Sequence, residues 1–338
     1  MPKPTVAAGV TSKMLELAVD LGADRGALLD SSGVDPAALQ DFDARIPLAD
    51  HIALLRAAKE QCRNPAFALH YGNSVNLAEV SVVGLIGYAS ATMLDAFVEL
   101  SRYSRLILDL DLGPGARFTL EREADGPWIV DHRPHPNDCP ELTEIAFSQM
   151  VNGTRRFGET PFVREVELTH PDPGYRAEYE RILGATVTFD SSRNAMRIDP
   201  AWLSHPIALQ PRYVFGILTR HADAMLHLLD TQLTMRGRVE QLILPILHTG
   251  QVGMSSIAAR LGCSRDTLYR RLKAEGVTFA KVVDDLRHRL ALDYLAGGKV
   301  SVNETAYLVG FSDPAAFSRA FIRWSGQRPG RMSRIAKS

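Results

Sequence analysis

The fold of this 338-residue chain is decided near its C-terminal end by the stretch Ser264-Arg-Asp-Thr-Leu-Tyr-Arg-Arg-Leu-Lys273. Ahead of it, apolar residues recur at helical spacing until Gly262 interrupts the pattern. Ser264 can cap a second helix, whose apolar stripe is Leu268 and Leu272. The sequence therefore predicts a helix, a tight turn and a second helix between residues 255 and 275.

The opposite face of that second helix carries polar side chains that can hydrogen-bond bases and phosphates. Together with Ser264 at the cap, they are Arg265, Asp266, Tyr269, Arg270 and Lys273. Helix-turn-helix motifs place their second helix in the major groove of duplex DNA. We therefore predict that this face binds DNA.

A second pattern of the same kind runs from Val302 to Trp324. Asp313 can cap its second helix, and Pro314 suits the first helical position. Phe317 and Phe321 belong to the buried stripe of that helix. Beside Asp313, the residues left outside are Ala315, Ala316, Arg319 and Arg323. Arg319 is the donor that we expect to reach a guanine edge.

One helical stretch, Phe279 to Ala296, joins the two motifs. A helix of about 18 residues spans roughly 27 Å, and the flanking turns bring the two reading helices to roughly 34 Å, one turn of B-DNA. This spacing predicts that one chain reads two successive major grooves. The alternative is a bundle of two ordinary helical pairs whose charged faces lie in solvent.

These residues resemble the DNA-binding domain of AraC/XylS-type bacterial transcription regulators. The resemblance covers about 100 residues and is carried by Ser264 to Lys273, Ala306 to Gly310 and Phe311 to Phe321, followed by Trp324, Gly326 and Pro329. It implies base or groove contacts from Asp266, Tyr269, Arg270, Ala315, Ala316 and Arg319, and DNA-backbone contacts from Lys273. It also implies RNA polymerase as a partner and favours activation over repression.

Charge is distributed unevenly along the chain. Residues 236–338 hold 17 Lys and Arg against 8 Asp and Glu, whereas residues 1–235 hold 21 against 31. The net charges are +9 and −10, so a basic DNA-binding part follows an acidic part that should not touch DNA.

The front half is predicted to be mixed α and β. Helical spacing covers residues 11–29, 47–60, 142–157 and 175–183, and strand patterns cover 106–112, 117–122, 128–132, 163–170, 187–190 and 195–198. Gly113-Pro114-Gly115 is typical of a hairpin turn between the first two of these strands. We expect an α+β domain with a small antiparallel sheet, followed by an all-α domain with two helix-turn-helix motifs joined by a long helix.

This front half also resembles a known domain. Gly84 to Tyr88, Leu94 to Ala96 and Glu167 to His170 are similar to the arabinose-binding-like effector domain of one branch of the AraC/XylS-type regulators, over about residues 15 to 205. The resemblance implies a small-molecule effector such as a fatty, amino or other organic acid.

An apolar effector would need a cavity with a few polar anchors. The candidate lining residues are Tyr88, Phe97, Tyr103, Arg105, Trp128 and Phe147. Arg105, Arg155 and Arg156 are candidates for pairing with an organic acid, because guanidinium pairs bidentately with carboxylate. The alternative is that these aromatic residues are ordinary core and that Arg155 and Arg156 lie at a solvated helix end.

Residues 212–233 form a predicted helix with an apolar stripe that includes Leu218, Ala222, Met225 and Leu229. This stripe packs either against its twin in a homodimer or against the chain's own sheet. We expect an effector domain at 1–205, a dimerisation and linker segment at 206–238, and a DNA-binding domain at 239–338.

Several other classes are not supported. The segment with His132, His135, Asp138 and Cys139 matches no closed zinc pattern, so neither a metal nor a cofactor is expected. No common catalytic motif occurs, which argues against an enzyme. No signal peptide or apolar span is recognisable, so we expect a cytoplasmic protein that does not bind membranes. A dimeric architectural DNA-binding protein that senses no ligand is the alternative function.

Overall fold

The computed structural model describes residues 4–110, 112, 115–207, 211–296 and 300–330. The chain forms two compact units, Met1–Leu226 and His227–Ser338. The first unit mixes helices with two sheets, and the second is helical. The predicted fold class is confirmed.

The first unit begins with a short sheet and the helices that cover it. Its elements are β1 (Thr5–Ala7), α1 (Ala8–Asp20), α2 (Arg25–Ser32), β2 (Arg45–Pro47), α3 (Leu48–Gln61), α4 (Phe67–Ser74), α5 (Val82–Ala89), α6 (Met93–Ile107) and β3 (Leu108–Asp109). The sheet order is β2-β1-β3, with both pairs antiparallel. Buried residues of α1, α3 and α4, among them Met14, Leu54 and Phe67, form the core beside it.

A second, larger sheet follows. The remaining elements of this unit are β4 (Phe118–Glu123), β5 (Gly126–Asp131), α7 (Glu141–Thr154), β6 (Val163–Glu167), α8 (Arg176–Leu183), β7 (Thr186–Thr188) and β8 (Asn194–Ile198). The strand order is β4-β5-β8-β6-β7, antiparallel except for the β6–β7 pair. Phe147 of α7 and Tyr179 of α8 are buried in its core.

Two local predictions for this unit are wrong. The helix predicted over residues 11–29 is broken into α1 and α2, because Gly22 adopts a positive φ of 94°. The predicted strand over 106–112 is helical up to Ile107, and the short β3 that follows pairs with β1 rather than with β4. The hairpin partner of β4 is β5. The predicted turn residues Gly113 and Pro114 lie outside the described residues.

The boundary between the two units falls within α9 (Arg212–Leu233). After it come α10 (Met235–Ile243), α11 (Met254–Arg260), α12 (Arg265–Ala274), α13 (Phe279–Ala296), α14 (Val302–Leu308) and α15 (Pro314–Ser325). One core gathers buried residues of α10 to α13, and a separate core gathers α14, α15 and the C-terminal half of α13. The helix α13 therefore joins two small helical cores, and its bounds equal the predicted ones.

Candidate DNA interface and effector cavity

The first helix-turn-helix motif consists of α11 and α12. The turn between them contains Gly262, whose φ is 65°, a conformation that favours glycine. The Ser264 hydroxyl accepts the backbone N–H of Thr267 at 3.1 Å and caps α12. Leu268 and Leu272 are fully buried beneath the helix. These contacts fix which face of α12 remains outside.

That outer face is the predicted one. Arg265, Asp266, Tyr269, Arg270 and Lys273 are all exposed, and so is the cap Ser264. Tyr269 is 52% exposed, so its ring and hydroxyl are accessible to a partner molecule. Arg271 is also exposed and was not among the predicted DNA-binding residues.

The second motif, α14 and α15, is built in the same way. Its turn contains Gly310 at φ 81°, and a Cβ there would lie 2.0 Å from the carbonyl oxygen of Leu247, so only glycine fits. Both carboxylate oxygens of Asp313 accept backbone N–H groups, from Ala315 at 2.9 Å and Ala316 at 3.0 Å. These hydrogen bonds, with a contribution from Arg319, lower the pKa of Asp313.

The outer face of α15 differs from that of α12. Ala315 is exposed and Ala316 is half-buried. The Arg319 side chain is 74% exposed, and its Nη2 lies 4.0 Å from Oδ2 of Asp313. Arg323 donates from Nη2 to Oδ2 of Asp284 on α13 at 3.0 Å. The two cations of this face therefore both have carboxylates nearby.

The helix α13 supports both motifs. Arg287 donates to the carbonyl oxygens of Val309 and Gly310, at 3.1 and 3.3 Å, and its guanidinium lies over the ring of Phe311. Burial lowers the pKa of Arg287. Near the other end of the unit, the carboxylate of Glu275 accepts two N–H groups at the start of α10. Polar contacts from α13 and α12 thus hold the surrounding elements in place.

A cavity of about 180 Å³ lies inside the first unit. Its walls are α5, α6, α7 and the face of the larger sheet formed by β4, β5 and β8. Most lining side chains are apolar, among them Met93, Phe97, Phe118, Ile129 and Phe162. Such a cavity, apolar with a few polar groups, is typical of small-molecule sites.

Three of the eight predicted effector residues, Tyr88, Phe97 and Arg156, line this cavity. The other five do not, each for a physical reason. Tyr103 points to α9, where its hydroxyl donates to Asp223 at 2.7 Å. Arg105 pairs with Asp109 at 2.8 Å, and Arg155 donates to Asn73 and to the carbonyl of Ile182. Trp128 lies under Arg193, and Phe147 is core.

The cavity has polar lining residues that the sequence did not single out. They are Asn76, Ser104, Arg117, Gln149, Asn152 and Thr154. Arg155 and Arg156 were both predicted as cations for an organic acid, and of the two Arg156 lines the cavity. Helical periodicity alone does not settle which of two adjacent arginines at a helix end faces inward.

Comparison with known proteins identifies both units. Residues 22–207 match the family described as the arabinose-binding domain of AraC transcription regulator, and residues 257–335 match a helix-turn-helix domain family. The chain belongs to the AraC family of transcription regulators. It is a DNA-binding transcription regulator with an N-terminal ligand-binding domain.

Three AraC-family relatives illustrate the range of similarity. The ornithine utilization regulator of Pseudomonas aeruginosa is 29% identical over 94% of this chain and 92% of its own length. The HTH-type transcriptional regulator VirS of Mycobacterium tuberculosis is 26% identical over 93% and 92%. The HTH-type transcriptional regulator VqsM of Pseudomonas aeruginosa is 31% identical over 77% and 81%.

In this AraC-family chain, the predicted dimerisation stripe of α9 is mostly covered. Ala222 and Leu229 are buried, and Leu218 and Met225 are half-buried. The exposed apolar side chains lie elsewhere on the helix, with Tyr213 77% and Ile217 44% exposed. They are four residues apart and therefore share a face.

Two further features of this AraC-family chain bear on other classes of function. Among the described residues, no three His, Cys, Asp or Glu side chains come together to form a metal site. In the segment from His132 to Cys139, His132 is hydrogen-bonded to Thr119, and the thiol of Cys139 donates to Glu141. None of the helices described has the length and apolar character needed to cross a membrane.

Proposed function

We propose that this chain is an effector-controlled transcription activator that reads two successive major grooves of promoter DNA. The observation that carries the proposal is the matching construction of α12 and α15. Each is capped by a side chain, buries one apolar stripe and leaves an arginine-bearing face exposed, and α13 joins them over about 27 Å. Ser264, Arg265, Asp266, Tyr269, Arg270 and Lys273 on one motif, and Asp313, Ala315, Ala316, Arg319 and Arg323 on the other, are the proposed DNA-binding residues.

The proposal also covers the domain organisation and the assembly of the protein. Residues 1–205 form the effector domain, 206–238 the linker and dimerisation segment, and 239–338 the DNA-binding domain. The protein acts as a cytoplasmic homodimer that contacts RNA polymerase and catalyses no reaction. The exposed face of α9 with Tyr213 and Ile217 suits the dimer contact better than the covered stripe, because an apolar side chain must be accessible to a second copy.

The experiment that tests two-groove reading starts with selection of a preferred duplex from a random library by the purified chain. Methylation protection should then reveal two clusters of protected guanine N7 atoms, roughly 10 base pairs apart on one face of the DNA for each protomer. A single protected cluster per protomer would overturn two-groove reading. Equal affinity for unrelated duplexes would favour the architectural alternative. Native mass measurement of the same preparation reports whether it is a dimer.

Effector control requires a route from the cavity to α9. Phe97, Leu100 and Ser104 of α6 line the cavity. On another face of α6, Arg102 and Tyr103 donate to the Asp223 carboxylate of α9, at 2.9 and 2.7 Å. Since α9 continues along the chain towards the DNA-binding unit, we propose that α6 transmits ligand binding through these two hydrogen bonds.

Asp223→Asn tests this route. The substitution removes the charge that strengthens both hydrogen bonds while leaving every proposed DNA contact intact. In a reporter carrying the selected site, expression should differ from that of the wild type at equal protein level, whereas the Kd of the purified variant for DNA should stay within about twofold. Glu60→Gln, which removes a similar charge from an exposed position, is the control. Unchanged expression in Asp223→Asn would eliminate the route.

A further inference from the structure

The charged residues that line the cavity in the described parts of the chain are cationic. None of its described lining residues is acidic, and two, Arg117 and Arg156, are cationic. Arg117 is already neutralised, because it donates from Nε and Nη2 to the two carboxylate oxygens of the buried Asp131 at 3.2 and 3.1 Å. Arg156 has no acidic partner within ion-pair distance in the described parts of the chain. Its positive charge is therefore available to a ligand.

Arg156 is a solvent-exposed residue of the cavity lining. Its guanidinium lies 5.8 Å from the ring centroid of Tyr88, another lining residue. The Tyr88 ring in turn packs edge-on against Phe157. A ligand group bound by Arg156 would thus lie near the Tyr88 ring and in contact with the apolar lining.

The cavity lining also contains an unsatisfied donor. The amide nitrogen Nε2 of Gln149, on α7, is shielded from solvent and has no hydrogen-bond partner among the described residues. Leaving a buried donor unpaired is unfavourable, so a ligand that supplies an acceptor gains by pairing with it. Because Gln149 lines the cavity, an oxygen atom of a ligand is a natural acceptor for this N–H group.

The volume limits the apolar part of the ligand. The cavity measures about 180 Å³, and an apolar cavity of roughly 150 Å³ accommodates a benzene molecule. A body of about six carbon atoms therefore fills the cavity, and a longer chain would have to extend out of it.

We propose that the effector is a small monocarboxylate with an apolar body of about six carbon atoms, whose carboxylate pairs with Arg156 and one of whose oxygen atoms accepts from Gln149. This inference rests on the proposed function, since it assigns a ligand class to the effector cavity. It disfavours a diamino acid such as ornithine, because no described lining carboxylate would neutralise a second ammonium group.

Calorimetry on the full chain tests the assignment with three ligands of one length. Hexanoate should bind at least about tenfold more tightly than hexanol or hexylamine, because only the acid gains a charge-assisted hydrogen bond. Within the acids, affinity should rise from butanoate to hexanoate and fall again at dodecanoate. Equal or tighter binding of the alcohol or the amine, or no binding of any acid at millimolar concentration, overturns the inference.

Variants locate the carboxylate. Arg156→Gln should weaken hexanoate binding by about tenfold and remove the preference for acid over alcohol. Arg155→Gln is the matched control: it removes the same charge one residue away, where the side chain hydrogen-bonds Asn73 and the carbonyl of Ile182 instead. Wild-type affinity in Arg156→Gln, or an equal loss in Arg155→Gln, contradicts the assignment. Melting curves of both variants exclude a folding defect as the cause.

The outcomes separate this inference from the function on which it rests. If the acids do not bind but the two-cluster footprint persists, the ligand class is wrong and DNA reading stands. If the footprint is absent, two-groove reading fails, whatever the cavity binds.

Discussion

The two reading helices are built alike but carry their charges differently. On α12, Arg265, Arg270, Arg271 and Lys273 are exposed and have no acidic partner within ion-pair distance among the described residues. On α15, Arg319 lies 4.0 Å from Asp313, and Arg323 is paired with Asp284 at 3.0 Å. The α12 motif thus presents unpaired cations to DNA. In the α15 motif, the arginines must separate from a carboxylate before they pair with a phosphate or base. Similar motifs in one domain therefore need not contribute equally to affinity.

The largest expected difference concerns base reading. Arg270→Ala should cost about 1–3 kcal/mol at the selected site and relax the base preference in one groove. Arg319→Ala should relax the base preference in the other groove. Its loss of binding free energy should lie near the lower end of the same range, because Asp313 already neutralises part of the Arg319 charge. Binding of single-base variants of the site measures both effects.

A control and a contradicting result sharpen this test. Arg238→Ala removes an exposed arginine of the same unit that lies on α10, outside both reading faces, and should leave base preference unchanged. If Arg319→Ala costs more than Arg270→Ala, the α12 motif does not dominate and the comparison is reversed.

A smaller difference should appear in the salt dependence of binding. Lys273→Gln should lower the slope of log K against log salt by about 0.9, the value for one phosphate contact, with equal weakening on all duplexes. Arg323→Gln should lower it by less, because binding of Arg323 to a phosphate also requires separation from Asp284. Titrations over a series of salt concentrations measure both slopes. Equal decreases would mean that the ion pair of α15 does not matter for DNA binding.

The DNA-binding unit could be predicted well because its signals are local. The caps Ser264 and Asp313, the glycine turns and the bounds of α13 all depend on residues a few positions apart, and the structure has each of them as predicted. Burial of the stripes then determines which side chains stay outside. The role of Asp284 was missed, since its partner Arg323 is 39 residues away.

The effector unit depends on long-range packing, and its prediction was poorer. The pairing of β3 with β1 brings together residues about a hundred positions apart, which no hairpin signal reveals. The walls of the cavity likewise come from three helices and a sheet. Two aromatic residues of equal hydrophobicity can therefore lie one in the cavity lining and the other in the core, and hydrophobicity alone does not distinguish them. Phe97 and Phe147 are such a pair.

The smallest expected effect tests whether Asp284 weakens or organises the second motif. Asp284→Asn leaves Arg323 without its charged partner and should tighten binding to all duplexes, by up to about fivefold, since an exposed ion pair is worth about 0–1 kcal/mol. Base preference should not change, because neither residue is assigned to a base. The double variant with Arg323→Gln should show no such gain, which isolates the pair from general loss of negative charge. Weaker binding in Asp284→Asn would mean that the carboxylate holds Arg323 in position for a phosphate, and the ion pair would then count as part of the DNA interface.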